Sequence, residues 1–179
     1  VYQGFEVELA YQISDNWRIS GNYGYLDTSF DEYLDNSFAP GRPIIDTASN
    51  RLAPYAPENT AALQLEGTLA TFNFGELRLL LDYTYTDMMY LYAVNKSLAA
   101  PDAGGSYVKG IDEVPDSQNL NMRLQLADVP VGDGTMDFSF FVQNLTDEDE
   151  QLQGIDFSMF LNSTWQAPRS YMFTASYNW

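Results

Sequence analysis

The amino-acid sequence predicts an all-β chain, an antiparallel transmembrane β-barrel wall of about seven strands. Three observations predict it. Apolar side chains recur at every second residue in seven separate segments, which places them on one side of a pleated strand. The connections between segments alternate short and long, and the mid-segment arginines all fall on the opposite parity from the apolar row.

The first segment alternates Phe5, Val7, Leu9, Tyr11 and Ile13 with Glu6, Glu8, Ala10 and Gln12. A Ser14-Asp15-Asn16 turn suited to chain reversal leads into the second, where Trp17, Ile19, Tyr23 and Tyr25 alternate with Arg18, Ser20, Asn22 and Gly24. The third carries Ala61, Leu63, Leu65 and Leu69 against Gln64, Glu66 and Thr68, and the fourth Leu77, Leu79, Leu81, Tyr83 and Tyr85 against Glu76, Arg78, Asp82 and Thr84. Leu80 interrupts that polar row once. The fifth sets Leu120, Met122, Leu124 and Leu126 against Asn119, Asn121, Arg123 and Gln125. In the sixth, Met136, Phe138, Phe140 and Val142 oppose Asp137, Ser139 and Gln143, and the last holds Tyr171, Phe173, Ala175, Tyr177 and Trp179.

Segments of about ten residues match a tilted strand crossing an apolar band of roughly 25 Å. Short connections are expected at 14–16, 70–75 and 128–134, and long ones at 27–58, 87–118 and 146–168. Short turns at one rim and long loops at the other are the asymmetry of outer-membrane barrels. An arginine on the lipid side at midplane would cost roughly 2–4 kcal/mol, so the rows holding Arg18, Arg78 and Arg123 face water. The opposite rows are Leu-rich in the middle and aromatic at the ends, as interfacial girdles are. A soluble antiparallel sheet with one buried face gives the same alternation and stays open as an alternative.

Composition narrows the function. With 45% hydrophobic and 15% aromatic residues in 179, the chain has too much to bury for a disordered segment. The absence of His and Cys removes the usual general base, the commonest metal ligand, thiolate zinc sites and cysteine nucleophiles. Neither a Ser-x-x-Lys nor a Gly-x-Ser-x-Gly pattern occurs, so no enzyme, no catalytic set and no cofactor is expected. Eight basic residues against 25 acidic ones give a net charge of −17, which repels a phosphate backbone and argues against nucleic acid. No run reaches the 18 or so apolar residues of a spanning helix, and residues 1–13 lack the pattern of a signal peptide.

Six short stretches, in order, carry a resemblance. They are Gly4-Phe5-Glu6-Val7-Glu8, Tyr23-Gly24-Tyr25-Leu26-Asp27, Ala56-Pro57-Glu58-Asn59, Asn144-Leu145-Thr146-Asp147, Pro168-Arg169-Ser170-Tyr171 and the aromatic Trp179. Together they resemble the C-terminal part of the β-barrel of a TonB-dependent outer-membrane receptor, over essentially the whole chain. The resemblance implies a 22-stranded barrel closed by an N-terminal plug, importing a scarce nutrient (siderophore-iron, cobalamin or glycan) with energy relayed by TonB. Residues 1–179 are then expected to be the last third of such a barrel, with plug and TonB-contacting segment outside them, and not to close alone. Implied partners are outer-membrane lipid and lipopolysaccharide, the plug and remaining strands, TonB, a small-molecule cargo and the barrel-assembly machinery. The implied location is the outer membrane of a Gram-negative bacterium. The row Tyr171, Phe173, Tyr177 and Trp179 resembles the C-terminal signal read by that machinery. A passive porin and a soluble carbohydrate-binding β-domain are the competing functional classes.

Candidate binding residues lie in the long loops. These hold 16 acidic side chains against Arg42, Arg51, Lys96 and Lys109, an acidic mouth that either attracts cations or is simply solvated. Asp147-Glu148-Asp149-Glu150 is the densest run, yet it lacks the alternating spacing and glycine of a calcium loop. Loop aromatics include Phe38, Phe157 and Phe160, and Tyr33, Tyr55, Tyr90, Tyr92, Tyr107 and Trp165 offer rigid faces for a cargo or for packing between loops. Tyr90 and Tyr92 share a parity that would extend the aromatic row of the fourth strand. Arg42, Arg51 and Lys109 could pair with an anionic group of the cargo or with neighbouring acids.

Overall fold

The computed structural model describes residues 1–35, 44–93, 113–156 and 161–179. In chain order its strands are β1 (Tyr2–Ser14), β2 (Trp17–Thr28), β3 (Leu34–Asp35), β4 (Ile45–Asp46), β5 (Asn59–Phe72), β6 (Gly75–Thr86), β7 (Met89–Tyr90), β8 (Glu113–Val114), β9 (Ser117–Val131), β10 (Gly134–Gln143), β11 (Gln151–Asp156), β12 (Leu161–Trp165) and β13 (Ser170–Asn178). A 3-10 turn spans Ala48–Asn50. The seven long strands, each built on one of the alternating segments, form one antiparallel meander in the order β1-β2-β5-β6-β9-β10-β13. The sheet is open in this chain, with β1 and β13 at its two edges. The short strands pair as β3-β4, β7-β8 and β11-β12, one hairpin within each long connection. No helix among the described residues is long and apolar enough to cross a membrane.

The register joins the alternating segments into continuous rows. One row runs Tyr11, Ile19, Leu65, Leu81, Met122, Val142 and Tyr171 across all seven strands. The next, on the other face, runs Gln12, Arg18, Glu66, Leu80, Arg123, Phe141 and Met172. The interruption of the polar face at Leu80 is therefore wider than expected. Phe141 and Met172 share its row, and Leu80 and Phe141 flank Arg123 on its two sides. Phe141 escapes a period-two reading because Phe140 and Val142 beside it are also apolar.

Elsewhere that face is polar and paired: Arg18 to Glu66 at 3.5 Å, Arg78 to Glu76 at 2.9 Å and Asp128 at 2.8 Å, and Gln64 to Asp82 at 2.7 Å. Much of the apolar face stays uncovered, with Leu9 at 60% exposure and Phe173 at 67%. The sheet is thus a single layer, largely polar on one side and apolar on the other.

The short connections are tighter than the ranges 70–75 and 128–134. All three are two-residue turns, Asp15-Asn16, Asn73-Phe74 and Gly132-Asp133, closed by the pairs Ser14 with Trp17, Phe72 with Gly75, and Val131 with Gly134. A bulge precedes each turn and lets pairing continue past the point where the alternation breaks. An extra residue sits between Gln12 and Ser14 in β1, between Thr68 and Ala70 in β5, and opposite the Met136–Phe138 step in β9. Through the second, Ala70 becomes the partner of Leu77, and Leu69 sits at the bulge itself. In the third, Asp128 takes a φ of 59° and its N–H donates to the Asp137 carboxylate at 2.8 Å.

Candidate functional site

Most of the buried positions lie outside the sheet, where the three long connections meet. Ala48 and Ala53 of the first, Leu91, Glu113 and Val114 of the second, and Asn144 and Gln151 of the third are all under 9% exposed. Within the sheet only Ala127 and Val142 reach that level among the described residues. The loops therefore hold a small core of their own, and its organisation starts from local hydrogen bonding.

In the first loop one carboxylate oxygen of Asp46 accepts the backbone N–H groups of Tyr33 and Ala48, each at 2.9 Å. Those two bonds favour the ionised form and hold the Asp46 carboxyl below its ordinary range. Thr47 N–H donates to the Tyr33 carbonyl at 2.8 Å, so the ends of the β3-β4 hairpin are tied around the 3-10 turn. Arg51 leaves this turn with its Nε on Thr47 Oγ1 at 3.2 Å, and its Nη1 reaches the Ala93 carbonyl of the second loop at 2.9 Å. Its guanidinium lies 4.7 Å from the centroid of the Tyr33 ring, which is itself edge-on to Phe30 at 5.3 Å. Close by, Pro54 bridges to Tyr90, and Tyr55, at a φ of 51°, donates its N–H to the Tyr90 carbonyl at 2.8 Å.

At the loop roots Asn59 Nδ2 donates to Asp87 at 2.8 Å and the Tyr85 hydroxyl donates to its other oxygen at 3.2 Å. The Asn59 bond is the main cause that depresses the Asp87 carboxyl. Burial, with a smaller contribution from the neighbouring Glu113 charge, raises the Tyr90 hydroxyl. A hollow of about 440 Å³ opens here, lined in part by Asp27, Glu58, Asp87, Leu52, Met88 and Tyr90. Three of the acids of the long connections, Asp27, Glu58 and Asp87, line it.

The third loop is fastened by the Asn144-Leu145-Thr146-Asp147 stretch. Asn144 is fully buried with a φ of 53°, and its amide donates to the Glu148 and Ala167 carbonyls at 2.9 and 3.3 Å while accepting from Glu148 N–H at 3.0 Å. Its own N–H donates to Asn121 Oδ1 at 3.0 Å. Arg169 closes the far end, donating to the Asp147 carboxylate at 3.0 Å and to the Leu145 carbonyl at 3.2 Å. Glu150 accepts the N–H of Gln118 on its side chain and that of Gln166 on its carbonyl. Two of the four carboxylates in the run 147–150, those of Asp147 and Glu150, thus have internal partners, and no group of three acids placed to hold a metal ion occurs among the described residues.

The candidate residues divide accordingly. Tyr33, Arg51, Tyr55 and Tyr90 are brought together where the first loop meets the second, and Tyr92, two residues on from Tyr90, is 42% exposed. Tyr90 does not extend the aromatic row of the fourth strand: β6 ends at Thr86, and Tyr90 belongs to β7, paired with Glu113 outside the main sheet. Trp165 stands apart on β12, opposite Gln151 and 58% exposed. Arg42, Tyr107 and Lys109 lie outside the described residues, as do Phe38, Lys96, Phe157 and Phe160.

Tyr171, Phe173 and Tyr177 share the apolar face of β13, opposite Val142, Phe140 and Met136, with Tyr171 stacked on Phe140 at 6.0 Å. Trp179 is 97% exposed beyond the strand end, 6.2 Å from Tyr177. Residues that sequence reading passed over as site-builders are Asp46, Asn59, Leu91 and Gln151. Only the hydrogen-bonding habit of Asp and Asn in turns gave a signal for the first two.

No family model matches the sequence, and no curated protein matches it. Two solved structures do match by shape. The ferric yersiniabactin uptake receptor FyuA from Yersinia pestis superposes with a TM-score of 0.68 at 16% identity, covering 99% of this chain and 23% of that one. BauA, the ferric preacinetobactin receptor from Acinetobacter baumannii, gives 0.66 at 20% identity, covering 98% of this chain and 22% of that one. The chain spans less than a quarter of the length of either. At the level of fold the expectation from the sequence holds: this antiparallel seven-stranded sheet has the fold of the matching part of these two receptors.

Proposed function

We propose that the chain forms part of the wall and outer mouth of a TonB-dependent outer-membrane receptor that imports a scarce nutrient, with ferric siderophores the favoured class. In this reading the apolar face meets lipid, the polar face lines the lumen, and the docked loops form the mouth. The chain contributes binding and passage and carries out no bond chemistry. Plug and TonB contact come from sequence outside residues 1–179, and the aromatic row of β13 serves barrel assembly.

The observation that carries the reading is the match over nearly the whole chain to two proteins that are both receptors for ferric chelates. The single-layer sheet supports it too, since an apolar face left bare in water would be an aggregation site. The test is growth of a strain lacking the full-length receptor, with iron chelates, cobalamin or glycans as the limiting source. TonB-dependent growth on one iron chelate, lost in the deletion and restored by the gene, is the expected result. Growth unaffected on every source, or uptake that persists without TonB, contradicts it, and the latter outcome describes a passive porin.

A further inference from the structure

Arg51 was a candidate for meeting cargo, but its guanidinium is already committed. It donates to Thr47 Oγ1 within its own loop and to the Ala93 carbonyl of the next, and lies over the Tyr33 ring. We propose that Arg51 is a positioning residue, a latch that fastens the first external loop to the second so that both form one rim. Tyr55 and Tyr92, 56% and 42% exposed, are then the rings this rim presents to cargo.

The chemistry of the contact suits a latch. A planar guanidinium can stack on a ring through its face while its edge donates to two oxygens, which a lysine ammonium cannot reproduce. Its partners are well fixed: Asp46 holds Tyr33 and Ala48, and Thr47 is bonded to the Tyr33 carbonyl. On the far side, Ala93 lies two residues beyond Leu91, which is 3% exposed in the loop core. The Pro54–Tyr90 bridge and the Tyr55 N–H bond lie along the same seam, so Arg51 closes one end of it.

This inference rests on the receptor reading for its effect on uptake, and its structural half is tested without cargo. Outer-membrane vesicles holding the full-length receptor are digested with a limiting amount of chymotrypsin, and cleavage at Tyr90–Tyr92 is followed. Arg51→Ala and Arg51→Lys should both be cut about tenfold faster than wild type, as expected for losing charged hydrogen bonds that cover the site. Tyr33→Phe, which keeps the ring, should behave as wild type, and barrel heat resistance on gels should be unchanged throughout. In uptake assays both Arg51 variants should raise the half-saturating cargo concentration several-fold with little change in maximal rate.

A lysine variant indistinguishable from wild type would mean that charge alone matters and would overturn the latch. So would an alanine variant cleaved no faster than wild type. Faster cleavage in a receptor that transports none of the nutrients tried leaves the latch standing and rejects the import reading instead.

Discussion

Asn144 shows how a single side chain can hold a loop at its root. It is fully buried, sits at a φ that asparagine tolerates better than most residues, and satisfies backbone groups of Glu148 and Ala167. Asn144→Ala strands those groups and should destabilise the folded protein by about 1–3 kcal/mol. Asn144→Gly relieves the backbone conformation but not the lost bonds, so it should remain destabilised; a glycine variant as stable as wild type by urea unfolding would contradict this.

At Gly67 the reason for glycine is space. A Cβ there would lie 2.5 Å from the Trp17 ring and 2.5 Å from the Asn16 carbonyl oxygen, so Gly67→Ala should cost about 1–3 kcal/mol through overpacking against backbone. Asp46 gives a pH prediction. Its carboxyl is depressed in the folded loop, so its contribution is complete above the ordinary carboxylate range and is lost as pH falls below about 4. Protection of the Ala48 amide from hydrogen exchange, corrected for intrinsic rate, should fall in that window, and Asp46→Asn should remove the pH dependence. The asparagine of the 144–147 stretch was legible as a motif, whereas the role of Asp46 depends on which two amides the chain brings to it.

Among the elements, the seven long strands were legible because one physical constraint, opposite surroundings on two faces, is written at every second residue. Their ends were less so. Bulges at all three two-residue turns break the alternation just where it would have marked the boundary. The loop core was not legible at all: Leu91, Val114 and Gln151 show no period, and only the folding of three loops onto one another buries them. Leu79 and Leu80 allow the face assignment to be tested with identical side chains one residue apart. Leu79 sits in the apolar rows beside Leu124, and Leu80 in the polar row beside Arg123. If the apolar face meets lipid, Leu79→Arg should destabilise the receptor in bilayers by roughly 2–4 kcal/mol, with Leu80→Arg near neutral. Equal effects in denaturant unfolding would remove the distinction between the faces.

At the scale of the whole molecule, an open sheet, a largely bare apolar face and a cluster of docked loops occur together. β1 and β13 leave unpaired backbone at the two sheet edges; in a bilayer such edges are costly, so under the proposed receptor reading they pair with further barrel strands. The charge of −17 is compatible with lipid contact on the apolar face because the mid-strand charges keep to the polar face and many of the acids lie in the long loops. Nitroxide spin labels placed singly at Leu79 and Arg78 of the full-length receptor in bilayers test the central claim most directly. The label at Leu79 should be relaxed strongly by oxygen and weakly by a water-soluble nickel complex, and the label at Arg78 should show the reverse. Equal access of both relaxants to both positions would contradict the account.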